Sequence, residues 1–189
     1  MSYRRLSPIL QPKTPASILL VLLLFLALGA GLAFRAGATG PAEAPPREAP
    51  PELASPIIDE TGAEIRIADF AGRPVLINFW ATWCAPCIAE LPALSRAAAA
   101  LADDGVTVLL VSIDRGGAAK AMPFLETHGV KGVRLGFDPK ARLSRDMQVR
   151  GLPTTILLTA GQDAAWRFVG PFEWDDPAML KLIRDLVAD

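Results

Sequence analysis

From Leu53 onward, apolar and polar positions alternate in short blocks punctuated by Gly, Pro and Asp, the rhythm of a folded domain. In "IIDETGAEIRIADF" the alternation runs on both sides of Thr61-Gly62, which predicts a hairpin leading into a short turn over 68–72. "PVLINFW", 74–80, predicts a buried strand with proline confined to its first position. "APCIAELPALSRAAAALADD" predicts a helix of about 18 residues that stops near Gly105. "VTVLLVSID", 106–114, is apolar on both faces and predicts a central strand. "GAAKAMPFLETHG" predicts a helix stopped by Gly129, and "VRLGFD" a short strand. "PKARLSRDMQV" predicts a helix with Asp138 as N-cap and Pro139 at its first position. Residues 154–160 and 164–170 flank Gly161 as an antiparallel hairpin, and "DDPAMLKLIRDLVAD" closes the chain as an amphipathic helix capped by Asp175 or Asp176. Strands that alternate with helices imply parallel pairing, and the last hairpin adds antiparallel strands. The expected class is α/β, a central mixed sheet with helices on both faces.

The pattern upstream is different. Ala16 to Phe34, "ASILLVLLLFLALGAGLAF", carries no charge, and Ser17 is its only polar side chain. As a helix it would extend roughly 28 Å, close to the hydrocarbon core of a bilayer at about 30 Å. Arg4, Arg5 and Lys13 precede it, whereas Arg35 and Arg47 beyond it are mixed with Glu43, Glu48 and Glu52. That asymmetry predicts a cytoplasmic N-terminus, residues 1–15, a transmembrane helix over 16–34, and a domain on the far side of the membrane. A cleaved signal peptide is the rival reading, because Ala36-Gly37-Ala38 fits a small-x-small cleavage site. Against it, the apolar run exceeds the usual signal core of about 7–15 residues. Residues 35–52 hold five prolines and no aliphatic side chain larger than alanine. Such a segment predicts an extended linker of about 50 Å reach at 3.1 Å per residue, leaving 53–189 as the folded domain.

Composition changes this picture little. The chain has 189 residues and a formal net charge of −1, enough for one domain with an appendage. No basic stripe of the kind that nucleic-acid binders carry is present, so no nucleic-acid partner is expected.

The candidate chemistry lies in the chain's two cysteines, Cys84 and Cys87, inside "FWATWCAPCIAELPAL". Structural zinc needs four ligands, and the chain adds only one distant histidine, His128. A zinc site would need carboxylates or a second molecule. Haem attachment needs a histidine at position 88, which is isoleucine. No metal and no cofactor are expected. A permanent staple is the blander reading, but so short a loop constrains the unfolded chain little. A redox pair fits the position. Cys84 falls where a strand turns into a helix, so free N–H groups and the helix dipole stabilise a thiolate there. Cys87 follows one turn later on the same face. Cys84 is expected to be exposed, to attack a partner's disulfide, and to be released by Cys87, leaving Cys84–Cys87 oxidised. Pro86 costs little in a first turn that has no intrahelical N–H bond to lose.

"VLINFWATWCAPCIAELP" resembles the active-site segment of the thioredoxin superfamily, and "VRGLPTT", 149–155, resembles its second landmark. The resemblance covers about residues 53 to 189 and implies a thioredoxin-like fold. It implies that Pro153 is cis and packs against the cysteine pair, and that Pro92 is the proline that kinks the active-site helix. Trp83, Ala85, Pro86, Leu152 and Thr154 would meet a bound partner, with Leu152 and Thr154 offering backbone groups. The stretch from Ala118 to His128, the tail "GPFEWDDPAMLKLIRDL" and Glu90 are similar to the TlpA-type group of membrane-anchored thiol:disulfide interchange proteins. Glu90 is the candidate proton shuttle for the resolving thiol; a solvated carboxylate favoured by the helix dipole is the alternative. Two features depart from related groups. Asn78 stands where cytoplasmic thioredoxins have aspartate, and "VRGLPTT" lacks the longer motif of proteins dedicated to cytochrome c maturation.

The resemblance implies a thiol:disulfide oxidoreductase facing the bacterial periplasm from the inner membrane. Its expected partners are protein disulfide substrates in cytochrome or cytochrome-oxidase assembly and a membrane electron-donor protein of the thiol-relay type. Ala85-Pro86 resembles the pair in reducing thioredoxins and lacks the histidine of strong oxidants, which favours a reductant over an oxidase or isomerase. A copper chaperone of the same fold is a further alternative, but such proteins use a downstream histidine and none follows His128. The anchor is tested by cell fractionation with N-terminal sequencing. The expected result is a membrane-bound protein that starts at its first residues; a soluble protein starting at Thr39 would overturn it.

Overall fold

The computed structural model describes residues 43–188. The expected anchor and cytoplasmic segment, 1–34, lie outside them, as does the start of the linker. Among the described residues no helix is long and apolar enough to cross a membrane. Eight strands form one mixed sheet: β1 (Arg47–Glu48), β2 (Ile57–Asp59), β3 (Glu64–Ile65), β4 (Val75–Trp80), β5 (Thr107–Ser112), β6 (Arg134–Phe137), β7 (Thr154–Leu158) and β8 (Ala165–Val169). Their order across the sheet is β1-β8-β7-β4-β5-β6-β2-β3. The strands β4, β5 and β6 are parallel, whereas β7 runs antiparallel to both β4 and β8. Among the described residues four helices accompany them: α1 (Ala85–Ala100), α2 (Ala118–Thr127), α3 (Arg142–Asp146) and α4 (Pro177–Ala188).

Alternation along the central strands divides the core into two layers. Leu76 and Trp80 of β4, with Val108 and Leu110 of β5, face α1, α2 and α4. Val75, Ile77 and Phe79, with Leu109 and Val111, face α3 and a 3-10 turn at Ile67–Phe70. All six residues of β4 are buried, as expected of a strand covered on both sides. Helix α1 buries Cys87, Glu90, Leu91, Leu94, Ala97 and Ala98, one stripe at three- and four-residue spacing. The helix passes through Pro92 without ending, although the proline has no N–H to offer the carbonyl four residues back.

Two expectations need correction. Part of the predicted free linker is the edge strand β1, which pairs Arg47 with Trp166 and Glu48 with Ala165. The outer edge of β8 would otherwise leave backbone groups unpaired, and the proline pairs 45–46 and 50–51 confine the pairing to Arg47 and Glu48 of the three residues between them. Glu48 meets Arg167 at 3.2 Å, and the Arg47 guanidinium lies 5.9 Å from the centre of the Trp166 ring. The second correction is the start of α3, which begins at Arg142 rather than Pro139. Residue Ala141 just before it takes a left-handed φ of 52°, so no helix can run back through it. Asp138 still caps the helix, across the intervening turn: its carboxylate accepts the N–H of Arg142 at 2.8 Å and of Ser144 at 2.9 Å. At the last helix the choice is settled in favour of Asp176, which accepts the N–H of Ala178 at 2.8 Å, while Asp175 pairs with Arg96.

The Asp138 cap holds a wall of the groove described below, so its loss should be measurable. Asp138→Ala is expected to cost about 0.5–2 kcal/mol in urea denaturation, the range for removing a helix cap. A variant as stable as the parent would show that the two N–H bonds contribute nothing net.

Candidate active site

Cys84 is the N-cap residue of α1. Its extended backbone leaves the end of β4, and its sulfur accepts the N–H of Cys87 at 3.3 Å. The two cysteines are joined in a disulfide, with Cα atoms 5.3 Å apart. Cys87 is completely buried, whereas Cys84 is 6% exposed. Cys84 is therefore less open than expected: only a narrow window of the residue is left exposed. That window opens on a groove of about 520 Å³ lined by Trp83, Ala85, Pro86, Ile113 and Leu152 as well as Cys84. Trp83 is 65% exposed at the rim.

Asp114 braces the cysteine loop, and the loop of Leu152 shares the groove with it. On one side Asp114, at the end of β5, accepts both the N–H and the hydroxyl of Thr82 at 2.8 Å, and the Ser112 hydroxyl at 3.0 Å. Burial alone would raise the Asp114 pKa, but the Thr82, Lys120 and Ser112 donors outweigh it and hold the carboxyl below its ordinary value. On the other side lies the Leu152-Pro153 peptide bond, which is cis as the resemblance implied. Pro153 accepts the N–H of Gly170 at 3.0 Å, tying this loop to the end of β8. Thr154 does not join the groove: it is buried in β7, and its hydroxyl donates to the Gly151 carbonyl at 2.7 Å.

Beneath Cys87, one turn along α1, Glu90 is only 3% exposed. It is not the solvated carboxylate of the alternative reading. One oxygen accepts from the Asn78 amide at 2.7 Å; the other accepts the Trp174 indole N–H at 3.0 Å and the Phe172 N–H at 3.2 Å. Desolvation dominates, and the Glu90 pKa is raised despite the Trp174, Asn78 and Phe172 donors. Asn78 also donates to the Thr155 hydroxyl at 2.9 Å, while its own carbonyl oxygen is buried without a partner. Trp80 is core, as its place in β4 implies. Sequence reasoning missed the parts of Trp174, Phe172 and Asp114. The spacing of Cys87, Glu90 and Leu94 was a usable signal for Glu90, since it sets the carboxylate on the buried stripe.

The AhpC/TSA family matches residues 42–163. The chain is 33% identical to the thiol:disulfide interchange protein HelX of Rhodobacter capsulatus, over 62% of this chain and 66% of that protein. It is 37% identical to a thiol:disulfide interchange protein DsbE homolog of Paracoccus denitrificans, over 53% of each. It thus spans between half and two thirds of the length of these relatives. A solved secreted thiol-disulfide isomerase of Corynebacterium glutamicum superposes with a TM-score of 0.62 at 25% identity, over 73% of this chain and 86% of that one. The chain belongs to the AhpC/TSA family.

The Glu90 cluster yields a stability prediction. Trp174→Phe leaves a buried oxygen short of a donor, which should cost about 1–3 kcal/mol. The folded state raises the pKa of Glu90 above its ordinary 4.5 and so favours the protonated form. Its contribution is complete below that ordinary value and is lost as pH rises through the folded pKa. Urea denaturation across this window should show stability falling with pH in the parent, and Glu90→Gln should flatten the slope. An unchanged slope in Glu90→Gln would assign the dependence to another group.

Proposed function

We propose that this AhpC/TSA family member is a thiol:disulfide oxidoreductase that reduces disulfides in partner proteins. One observation carries the reading: a cysteine pair at the start of α1 in which Cys84 alone reaches a groove and Cys87 is sealed beneath it. In the reduced protein the Cys84 thiolate attacks one sulfur of a partner disulfide, and the partner's other sulfur leaves as a thiolate. Cys87, as thiolate, then attacks Cys84, releases the partner's second thiol and leaves Cys84–Cys87 oxidised. Two electrons pass to the partner. A membrane dithiol carrier must return them, because a cytosolic thioredoxin does not reach the periplasm.

The surroundings support distinct roles. Pro153 packs the loop beside the pair, and Trp83, Ala85, Pro86 and Leu152 form the contact rim; Thr154 acts from behind by fixing Gly151. Glu90, with its raised pKa and its place one turn from Cys87, takes the resolving thiol's proton. The anchor of residues 16–34 holds the domain at the periplasmic face, where confinement with membrane partners raises their effective concentration. The acceptor class, proteins of cytochrome or cytochrome-oxidase assembly, rests on the TlpA resemblance.

Four measurements test this reading. Alkylation of the reduced protein should label Cys84 well before Cys87, and the reverse order would exchange their roles. With Cys87→Ser, mixed disulfides to Cys84 should accumulate. With Glu90→Gln, resolution should slow by about 10²-fold, the lower range for a general base, and lose its pH dependence. Equilibration with glutathione should give a potential nearer about −270 mV than −120 mV; a value above roughly −150 mV would make the protein an oxidant.

A further inference from the structure

The groove at Cys84 continues past Trp83 and Ile113 into a second cleft of about 600 Å³. Arg115, Lys120, Lys140 and Arg145 line it, from the loop after β5, the start of α2, and the turn and helix α3. The acids nearby do not offset them at the surface. Asp114 is 1% exposed and committed to Thr82, Ser112 and Lys120, and Asp138 is 3% exposed and committed to the α3 backbone. Elsewhere the cations are mostly paired: Arg66, Arg96, Arg134, Arg167 and Arg184 each meet a carboxylate within 4.0 Å. Among the described residues Arg115, Lys140 and Arg145 meet none, nor do Arg142 of α3 and Arg150 at the edge of the Cys84 groove.

Of the eight cations that meet no carboxylate among the described residues, five thus lie on this rim, on α3 or at the Cys84 groove, and Arg47, Arg73 and Lys131 lie elsewhere. Like charges so placed repel each other, and folding gains nothing from leaving them without partners. The arrangement suits a ligand that brings the missing carboxylates. We infer that this cleft is a specificity surface for an acidic segment flanking the disulfide that Cys84 attacks. The inference rests on the reductase reading and deepens it. A partner disulfide seated on Cys84 carries its flanking chain past Trp83, along the floor of the cleft and beneath Lys140 and Arg145. An anionic lipid surface is the poorer fit, because lipid seated there would close the groove against protein disulfides. The cationic rim raises the encounter rate of acidic partners and turns basic ones away.

The test uses the full chain in neutral detergent, reduced and freed of reductant, and three synthetic peptides. Each holds one disulfide, flanked by Asp and Glu, by Ser and Gly, or by Lys. Stopped-flow single turnovers at low ionic strength should show the acidic peptide reduced about tenfold faster than the neutral one and the basic one slower still, within the 10–10³ range of electrostatic steering. The preference should shrink to within about twofold in 1 M salt, where the screening length is about 3 Å. Lys140→Glu/Arg145→Glu, and separately Arg115→Glu on a different loop, should lower the acidic-to-neutral ratio, the double variant to below one. An acidic peptide no faster than the neutral one, or a ratio untouched by salt or by both variants, would overturn the inference while the neutral peptide's reduction upholds the reductase reading. Failure to reduce any peptide would overturn both.

Discussion

Taking the carboxylate of Glu90 out of water costs several kcal/mol unless protein donors replace its hydration. Two segments distant in sequence supply them: Asn78 from the middle of β4, and Phe172 and Trp174 from the chain between β8 and α4. Meeting that requirement fixes α1 over the sheet and seats the C-terminal segment against it. Phe168, Phe172 and Trp174 pack ring against ring over the same spot, with centroids 5.4–5.7 Å apart, which keeps water from the carboxylate. Cys87 thus rests one turn from a buried polar cluster whose one ionisable group favours its protonated form.

Electrostatics divides the two sides of the cysteine pair. Below it, buried carboxyl groups are met by donors of the fold, in Glu90 and in Asp114, which anchors the loop that presents Cys84. Above it, along the open rim, cations stand without carboxylates. A buried charge must find its partner within the fold, whereas an exposed one can wait for a ligand at small cost because water screens it. The same molecule can therefore be rigid at its chemistry and selective at its mouth.

The sequence determined much by itself, because periodicity is a local property. Nearly continuous apolar runs in 74–80 and 106–114 marked two strands buried on both faces, and the spacing of Cys84 and Cys87 set both on one turn at a helix start. The two motifs, read as a resemblance to thioredoxins, implied the cis bond at Leu152-Pro153. Tertiary structure decided what depends on distant partners. Two residues between proline pairs became β1 because β8 offered an unpaired edge, and Ala141 took a left-handed backbone that moved the start of α3 while Asp138 kept its capping role. Cys84 proved nearly buried because its exposure is set by walls from β5, α3 and the cis-proline loop, none adjacent in sequence. Glu90 lay on the buried stripe by its spacing, yet its donors come from 12 and 84 positions away, a distance across which only the folded chain brings residues together.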